Sequence, residues 1–477
     1  MTKTLNLVAI DCGNSSCRAV LGRFDGSWIA IESVLREENR MIRVGDVFYW
    51  DILNIFHNVK RGIAEAAKRA GDIDAIGICT WGVDFALFDA GGGMLANPLS
   101  YRNEIGAAQL EAVSGERRRA LYEMTGIVCD RINSVYMLQG MRRVMPGVVD
   151  CARRLLMVSD ILNYFLTGIM ANEPSELSTT QLLSARDRQI SAEACADLDV
   201  DNGLFGYIPE HGSNIGFLLS SVRDELGLAN DVPVISVPSH DTAAAVLAVP
   251  AGNERFAFVS SGTWSLIGVE LEEPVINDAA YRAGLTNEVG AFNRITLLRN
   301  HAGLYIIQRL REEYEREFGV GADWDVLLGL AKAYEGEPPI FPVNHGDFFN
   351  PTHMAATIWR HLRERFPEQG PEPDWTAILA AYHHSMARSY AEVVKGIEEA
   401  SGETIERLHI VGGGVKNVLL NQLAANYTGL QVMIGSPDST SFGNLAAQVK
   451  YFEPSLGIRD LRDIVARSIV SETFDPQ

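Results

Sequence analysis
The sequence predicts a two-domain α/β fold built by duplication, with a cleft between the domains. Three observations carry that expectation. Residues 7–24 read LVAIDCGNSSCRAVLGRF, an apolar strand, a small polar turn and a second apolar strand; residues 256–270, FAFVSSGTWSLIGVE, repeat the plan, with Gly262 placed 249 positions after Gly13. At 477 residues the chain exceeds the roughly 250–300 residues at which single cores stop growing. Strand-like apolar runs also alternate with helical stripes, as in parallel-sheet proteins. The turn-rich Pro250, Ala251, Gly252 and Asn253 mark the boundary, giving an N-terminal domain over 1–250 and a C-terminal domain over 251–477.

Composition excludes several classes. A balance of 41 basic against 61 acidic residues leaves a net charge of -20, and no basic stripe stands out to meet nucleic acid. A nucleotide remains compatible, since it needs only a local pocket of backbone N–H groups and a cation. No apolar run approaches the ~18 residues of a membrane span, and the N-terminus runs into a strand pattern without the apolar core of a signal peptide. The cysteines (Cys12, Cys17, Cys79, Cys129, Cys151, Cys195) show no CxxC and no pairing rhythm, which argues against a disulfide framework or a structural zinc site. A cytoplasmic enzyme is expected; nothing in the sequence fixes its oligomeric state.

In chain order, Asp11 ends the first strand, where a carboxylate could hold a water of a hydrated Mg²⁺. Gly13, Asn14, Ser15 and Ser16 suit a hairpin whose N–H groups and hydroxyls approach a phosphate, although a hairpin with Gly and Asn is usually just a hairpin. Ile52, Ile55, Phe56, Val59, Ile63 and Ala66 form a helical stripe stopped by Gly71. A strand over 73–79 leads into TWGVDF (80–85). There Trp81 offers a flat face and Asp84 a hydroxyl-bonding carboxylate; a core tryptophan beside a solvated aspartate explains them equally well. Gly91, Gly92 and Gly93 read as a turn, and Tyr101, Arg102 and Asn103 as a polar edge of the same pocket. Residues 107–228 are mostly helical in pattern, 157–166 most clearly, with 178–181 (STTQ) a loop or cap.

Residues 232–237 are a short buried strand, and Asp241 and Thr242 open an Ala-rich helix. Ser239, His240 and Asp241 therefore sit on a strand-to-helix turn, where side chains of parallel sheets face a ligand. Three adjacent residues diverge, so they cannot form a hydrolase triad, and Asp241 taken alone reads as a helix cap. Beyond the second hairpin, residues 297–309 read as a polar turn at Asn300 followed by a short helix, and 340–359 as a loop entering a helix. Asp374 caps a long helix striped by Leu379, Tyr382, Met386, Tyr390, Val393 and Ile397 and ended by Gly402; His383 and His384 on it are structural. Residues 408–420, LHIVGGGVKNVLL, give a strand, a glycine turn and a helix, a backbone that a base or phosphate can approach closely. A last helix begins in 439–448, and the segment after Pro454 carries no reading.

No GxxxxGK[ST] is present, which excludes a Walker ATPase, and no GxGxxG follows a strand, which excludes the dinucleotide fingerprint. Two phosphate-type hairpins, a late GGG turn and one carboxylate at a helix head match the actin-like (ribonuclease H-like) ATP-binding architecture. The chain resembles the FGGY carbohydrate kinases, and within them the rhamnulose kinases, nearly end to end. The matching stretches are AIDCGNSSCR (9–18), TWGVDF (80–85), SHDTAAAV (239–246), SSGTWSL (260–266), LLRNHAGLYIIQR (297–309) and HIVGGGVKNVLLNQL (409–423).

The resemblance implies an ATP-dependent kinase that phosphorylates a small sugar, most simply L-rhamnulose, with L-fuculose or L-xylulose as alternatives and a non-catalytic sugar sensor as a different class. It places the catalytic base on Asp241. Sugar contacts fall on Gly82, Asp84, His240, Thr242 and Asn300. ATP contacts fall on Asn14, Ser15, Ser16, Cys17, Arg18, Thr263, Gln308 and Gly413, and Mg²⁺ on Asp11. Three departures stand out. Cys17 occupies a position that is commonly glycine, Asn103 stands where Asp is commoner beside the sugar pocket, and the cysteine pair that some bacterial members carry after GGG is absent.

Overall fold
The computed structural model describes residues 4–477 except 253, 320, 350, 367–369, 371 and 372; Asn253, the last residue of the expected boundary turn, lies outside the described residues. The chain forms two compact units. The first comprises Met1–Gly252, Glu270–Leu297 and Asp438–Val470, and the second Asn253–Val269, Leu298–Pro437 and Ser471–Gln477.

In the first unit the strands are β1 (Leu5–Cys12), β2 (Ser16–Phe24), β3 (Ile29–Glu38), β4 (Ala75–Thr80), β5 (Asn214–Phe217) and β6 (Pro233–Ile235), in the sheet order β5-β6-β4-β1-β2-β3. β1 and β2 are an antiparallel hairpin, β1, β4 and β6 run parallel, and β5 is antiparallel to β6. Alternation along β1 feeds two cores. Val8 and Ile10 pack with Ile55, Val59 and Ile63 of the helix Ile52–Ala70, while Leu7 and Ala9 pack with Leu247, Phe442 and Leu445. The long helix runs from its Asp51 cap to Gly71 as its stripe predicts.

The second unit repeats this plan. Six strands of its seven-stranded sheet are β7 (Phe256–Ser261), β8 (Trp264–Leu271), β9 (Ile295–Ala302), β10 (Arg407–Val411), β11 (Gln431–Ile434) and β12 (Glu472–Phe474), ordered β9-β8-β7-β10-β11-β12, with the strand Thr286–Val289 at the edge beside β9. β7 and β8 are again an antiparallel hairpin, β7, β10 and β11 run parallel, and β12 is antiparallel to β11. The two sheets thus share order and direction over five strands, as the repeated hairpins predict.

Two local expectations are corrected. Asn300 lies inside β9 rather than on a turn, and the helix that follows, Tyr305–Phe318, is 14 residues long; polar Arg299 and Asn300 are tolerated because β9 is only half-buried there. Cys12 and Cys17, for which the spacing showed no pairing, form a disulfide with Cα atoms 3.9 Å apart. The hairpin register places them directly opposite each other, a fact of pairing that residue spacing alone does not reveal.

Candidate active site
In the first unit, the parallel strands β4 and β6 end beside the helix Asp241–Leu247, whose N-cap is His240. The backbone fixes this turn: Thr80 N–H donates to Ser239 O at 2.7 Å, and Thr80 and His240 form an isolated parallel bridge. The helix Ser439–Phe452 presses against it so closely that a Cβ on Gly443 would lie 1.8 Å from Ala244 O. Thr440 Oγ1 donates to Asp241 O at 3.3 Å. Asp241 is thereby held with its carboxylate 37 % exposed, reachable by a ligand.

The electrostatics suit a base. Loss of solvation raises the Asp241 carboxyl above its ordinary range; the nearby His240 charge opposes this and Asp11 adds to it. His240 Nε2 is 3.6 Å from Asp241 Oδ1, and its Nδ1 is 3.3 Å from Glu288 Oε2. Burial pulls the His240 imidazole down, but Glu288, then Asp241 and Glu176, outweigh it and push it up to about 10. Thr242 Oγ1 lies 3.3 Å from Asp241 Oδ1. Gly82 abuts the same ring: a Cβ there would meet Thr179 Cγ2 at 2.8 Å and His240 Cδ2 at 3.3 Å. The next residue, Val83, has φ 71°, a conformation β-branched residues rarely adopt; its N–H donates to Thr179 Oγ1 at 2.9 Å and its carbonyl accepts from Ser134 Oγ at 2.6 Å.

Asp84 and Asn103 are more enclosed than the sequence implies. Asp84 Oδ2 accepts from Trp50 Nε1 at 2.6 Å and from Trp81 Nε1 at 2.9 Å, and burial pushes its carboxyl up to about 7. It braces the two indoles as well as bordering the Gly82 turn. Asn103 is buried, accepts from Phe48 N–H at 2.9 Å and donates to the carbonyls of Phe48 and Ser100, each at 2.8 Å. Its amide is spent on backbone, so an aspartate there would face two carbonyls rather than a sugar pocket.

The first hairpin carries the remaining charged residues. Gly13 N–H donates to Ser16 O at 2.9 Å, closing a turn in which Ser15 is exposed and Ser16 half-buried. Asn14 Nδ2 contacts Tyr101 Oη at 3.3 Å, and Asn14 Oδ1 is buried without a hydrogen-bond partner among the described residues. Arg18 bonds Asp11, and reaches Asp438 Oδ1 at 2.5 Å. Cys17 is buried and its sulfur is tied to Cys12, so only its backbone is available to a ligand.

In the second unit, the turn of the other hairpin is gripped by the start of the helix Tyr305–Phe318. Leu304 N–H donates to Gly262 O at 2.9 Å, and a Cβ on Gly303 would lie 2.5 Å from Thr263 O. Thr263 is half-buried, and Gln308, on the first turns of that helix, is exposed. The GGG turn is divided in use. Gly412 has φ 81°, and a Cβ there would meet Ser261 O at 2.9 Å; on Gly414 it would meet Ser261 Oγ at 2.1 Å. Gly413 is exposed, and its nearest would-be contact is Leu304 Cδ1 at 3.5 Å. The outer glycines pack the turn on β7, and the middle one leaves open backbone of the kind a nucleotide can approach. A separate group, His345, Asp347 and His361, gathers metal-type ligands. Its carboxylate already bonds Arg360 at 2.6 Å and His361 at 2.9 Å, which hold it down at about 2, so it reads as an ion-pair knot.

Sequence reasoning missed Glu176, Glu288 and the buried polar segment around them. Every residue over 171–184 is buried. Ser175 Oγ accepts from His240 N–H at 3.0 Å and donates to Glu173 at 2.6 Å, and Glu173 in turn bonds His211. Residues 178–181 read as a loop or cap because polarity signals exposure; the hydroxyls and paired glutamates of NEPSELSTTQ (172–181) were the available signal.

Duplicated sheets, each opening on a phosphate-type hairpin, place the chain in the actin-like class of two-domain ATPase folds. The N-terminal domain of the FGGY family of carbohydrate kinases matches residues 6–248 and the C-terminal domain matches residues 257–450. The chain belongs to this family and is an ATP-dependent sugar kinase. It is 34% identical to a rhamnulokinase of Bacteroides thetaiotaomicron, covering 99% of this chain and 96% of the relative. A rhamnulokinase of Oceanobacillus iheyensis is 33% identical, covering 98% of this chain and 97% of the relative. Among solved structures, a xylulose kinase of Lactobacillus acidophilus superposes with a TM-score of 0.80 at 14% identity, covering 99% of this chain and 94% of that one. A glycerol kinase of Plasmodium falciparum with ADP gives 0.77 at 14% identity, with coverage of 99% and 94%. These two likenesses concern the fold. No helix of the described residues is long and apolar enough to cross a membrane.

Proposed function
We propose that this kinase transfers the γ-phosphoryl group of ATP to a hydroxyl of L-rhamnulose, giving L-rhamnulose 1-phosphate. The observation that carries the reading is Asp241, a reachable carboxylate at a helix head, 3.6 Å from the buried His240 imidazole. The substrate is supported by the two rhamnulokinase relatives, each aligned over nearly the whole chain.

In this mechanism Asp241 takes the proton of the acceptor hydroxyl as its oxygen attacks phosphorus, and its raised affinity for protons makes it a stronger base than an exposed aspartate. Gly82, His240, Thr242 and Asn300 hold the sugar, with Asp84 shaping the pocket behind Trp81. Asn14, Ser15, Ser16, Arg18 and the Cys17 backbone meet phosphate from one hairpin, and Thr263, Gln308 and Gly413 hold the nucleotide from the other. Alignment and charge neutralisation, rather than covalent chemistry, supply most of the acceleration in such transfers. Mg²⁺, when bound with ATP, neutralises the phosphate oxygens. The residues fit such an ion: Asp11 and Asp438 flank Arg18 in one charged cluster, the same hairpin turn holds the orphaned Asn14 Oδ1, and hard oxygen donors suit hydrated Mg²⁺.

An ADP-release assay over a panel of ketoses and polyols tests the reading. The highest kcat/KM is expected with L-rhamnulose; a higher value with L-fuculose or L-xylulose would reassign the substrate, and silence with every sugar would remove the kinase role.

A further inference from the structure
The imidazole of His240 is addressed from both sides by carboxylates. Glu288 Oε2 lies 3.3 Å from Nδ1 and Asp241 Oδ1 3.6 Å from Nε2. The two flanks differ in exposure: the Glu288 side chain is 9 % exposed and His240 11 %, against 37 % for Asp241. A ligand therefore reaches the Nε2 side and not the Nδ1 side. Glu288 Oε2 is buried and makes no hydrogen bond among the described residues, so its approach to Nδ1 is an ion-pair contact. Its strand, Thr286–Val289, is pinned by Asn287, whose Nδ2 donates to Gly126 O at 3.0 Å and Val275 O at 3.1 Å. The His240 backbone is pinned independently, through Ser175.

We propose that Glu288 is a positioning residue for phosphoryl transfer: it holds His240 through Nδ1 so that Nε2–H is presented beside Asp241 to the acceptor oxygen. A carboxylate on Nδ1 accepts that nitrogen's hydrogen and favours the imidazolium, in which both nitrogens carry hydrogen. Nε2–H can then orient the acceptor hydroxyl, leaving that hydroxyl's own proton to Asp241. Two other acids face the pair. Glu176 faces His240, its carboxyl raised chiefly by burial, and Asp11 faces Asp241. Neither reaches Nδ1, so neither replaces Glu288. The inference rests on the kinase reading above and adds a residue to it.

The test compares Glu288→Gln and Glu288→Asp with the parent enzyme, using ADP release with the best ketose from neutral to strongly alkaline pH. Glu288→Gln is expected to lower kcat roughly 10–100-fold, the range seen when the outer partner of a functional histidine is lost, with the KM for ATP unchanged. Because the imidazole must stay protonated, activity falls as pH rises past its titration, and removing the Glu288 charge moves that alkaline limb to lower pH. Glu288→Asp is expected to recover most of the rate and restore the limb. A Glu288→Gln enzyme with the parental pH profile overturns the proposal, whether its rate is normal or falls in step with its melting temperature. Should the variants fail to fold, ¹⁵N titration of His240 in the parent protein decides: an imidazolium that persists above neutral pH supports the proposal, and a neutral ring at pH 7 overturns it. If the kinase reading itself is wrong, the parent enzyme releases no ADP with any sugar, an outcome distinct from all of these.

Discussion
The two hairpins share a plan and differ in turn and surroundings. The first closes with Gly13 N–H to Ser16 O, three residues on, and the second with Gly262 N–H to Trp264 O, two residues on, both at 2.9 Å. The first is set in charge: Asp11, Arg18 and Asp438 form one cluster, and Asn39 ties the turn through Gly13 O at 2.7 Å. The second is set in close packing, with Gly303, Gly412 and Gly414 each so near Ser261, Thr263 or Trp264 that no side chain fits. One hairpin plan thus sits in two settings, charge around the first turn and close packing around the second.

Glycine substitutions should break this comparison most strongly. Gly303→Ala drives a Cβ to 2.5 Å from backbone atoms of Thr263 and Trp264, and the expected loss is about 3 kcal/mol, the upper end for overpacking. At Gly13 the nearest atom to a Cβ is Ser16 O at 3.8 Å, so Gly13→Ala should leave the melting temperature nearly unchanged and raise the KM for ATP by crowding the phosphate. Thermal melts of both variants, with the KM for ATP measured beside them, check the pair; equal destabilisation would erase the distinction.

Charge removal should separate the hairpins next. Asp11→Ala is expected to lower kcat/KM for Mg·ATP by roughly 10–100-fold, the range of a lost bond to a charged group, and Thr263→Ala by only about fivefold, the range of a neutral one. Neither change should alter the ranking of sugars. A reordered sugar panel with normal ATP use in Asp11→Ala would count against its metal role.

The smallest effect is on pH response. In the second unit, burial lowers His301 and His383 from 6.5 to about 4. The unfolded chain therefore binds more protons between those values, and this unit loses stability as pH falls from 6.5 toward 4. In the first unit, burial raises Asp84 from 3.8 to about 7. There the folded state binds more protons, so acidification through 7 adds stability. Hydrogen exchange along β1 and β7 should show β7 losing protection first as the solution is acidified; simultaneous loss would show that these groups do not govern the response.

Much of this was legible in the sequence because the pattern was local. The Ile52–Ala70 stripe, the Asp374 cap and the Gly402 stop each specify a helix within one window, and the repeated hairpins announced the duplicated sheets. Long-range facts were hidden. That Cys12 faces Cys17 depends on register, and that Asn103 spends its amide on Phe48 depends on a contact 55 residues away. Glu288 carries no signal in the sequence, because its carboxylate meets the His240 ring only in the fold. The units also exchange segments, since Glu270–Leu297 and Asp438–Val470 belong to the first; hydropathy records what a residue buries, not which core receives it.

The most direct test is single-turnover kinetics of purified Asp241→Asn with ATP and its preferred ketose. The amide keeps the size of the side chain and loses the basic oxygen, so the phosphoryl-transfer rate should fall by roughly 10²–10⁴-fold while both substrates still bind. Transfer at the parental rate would contradict the assignment of Asp241 as the base.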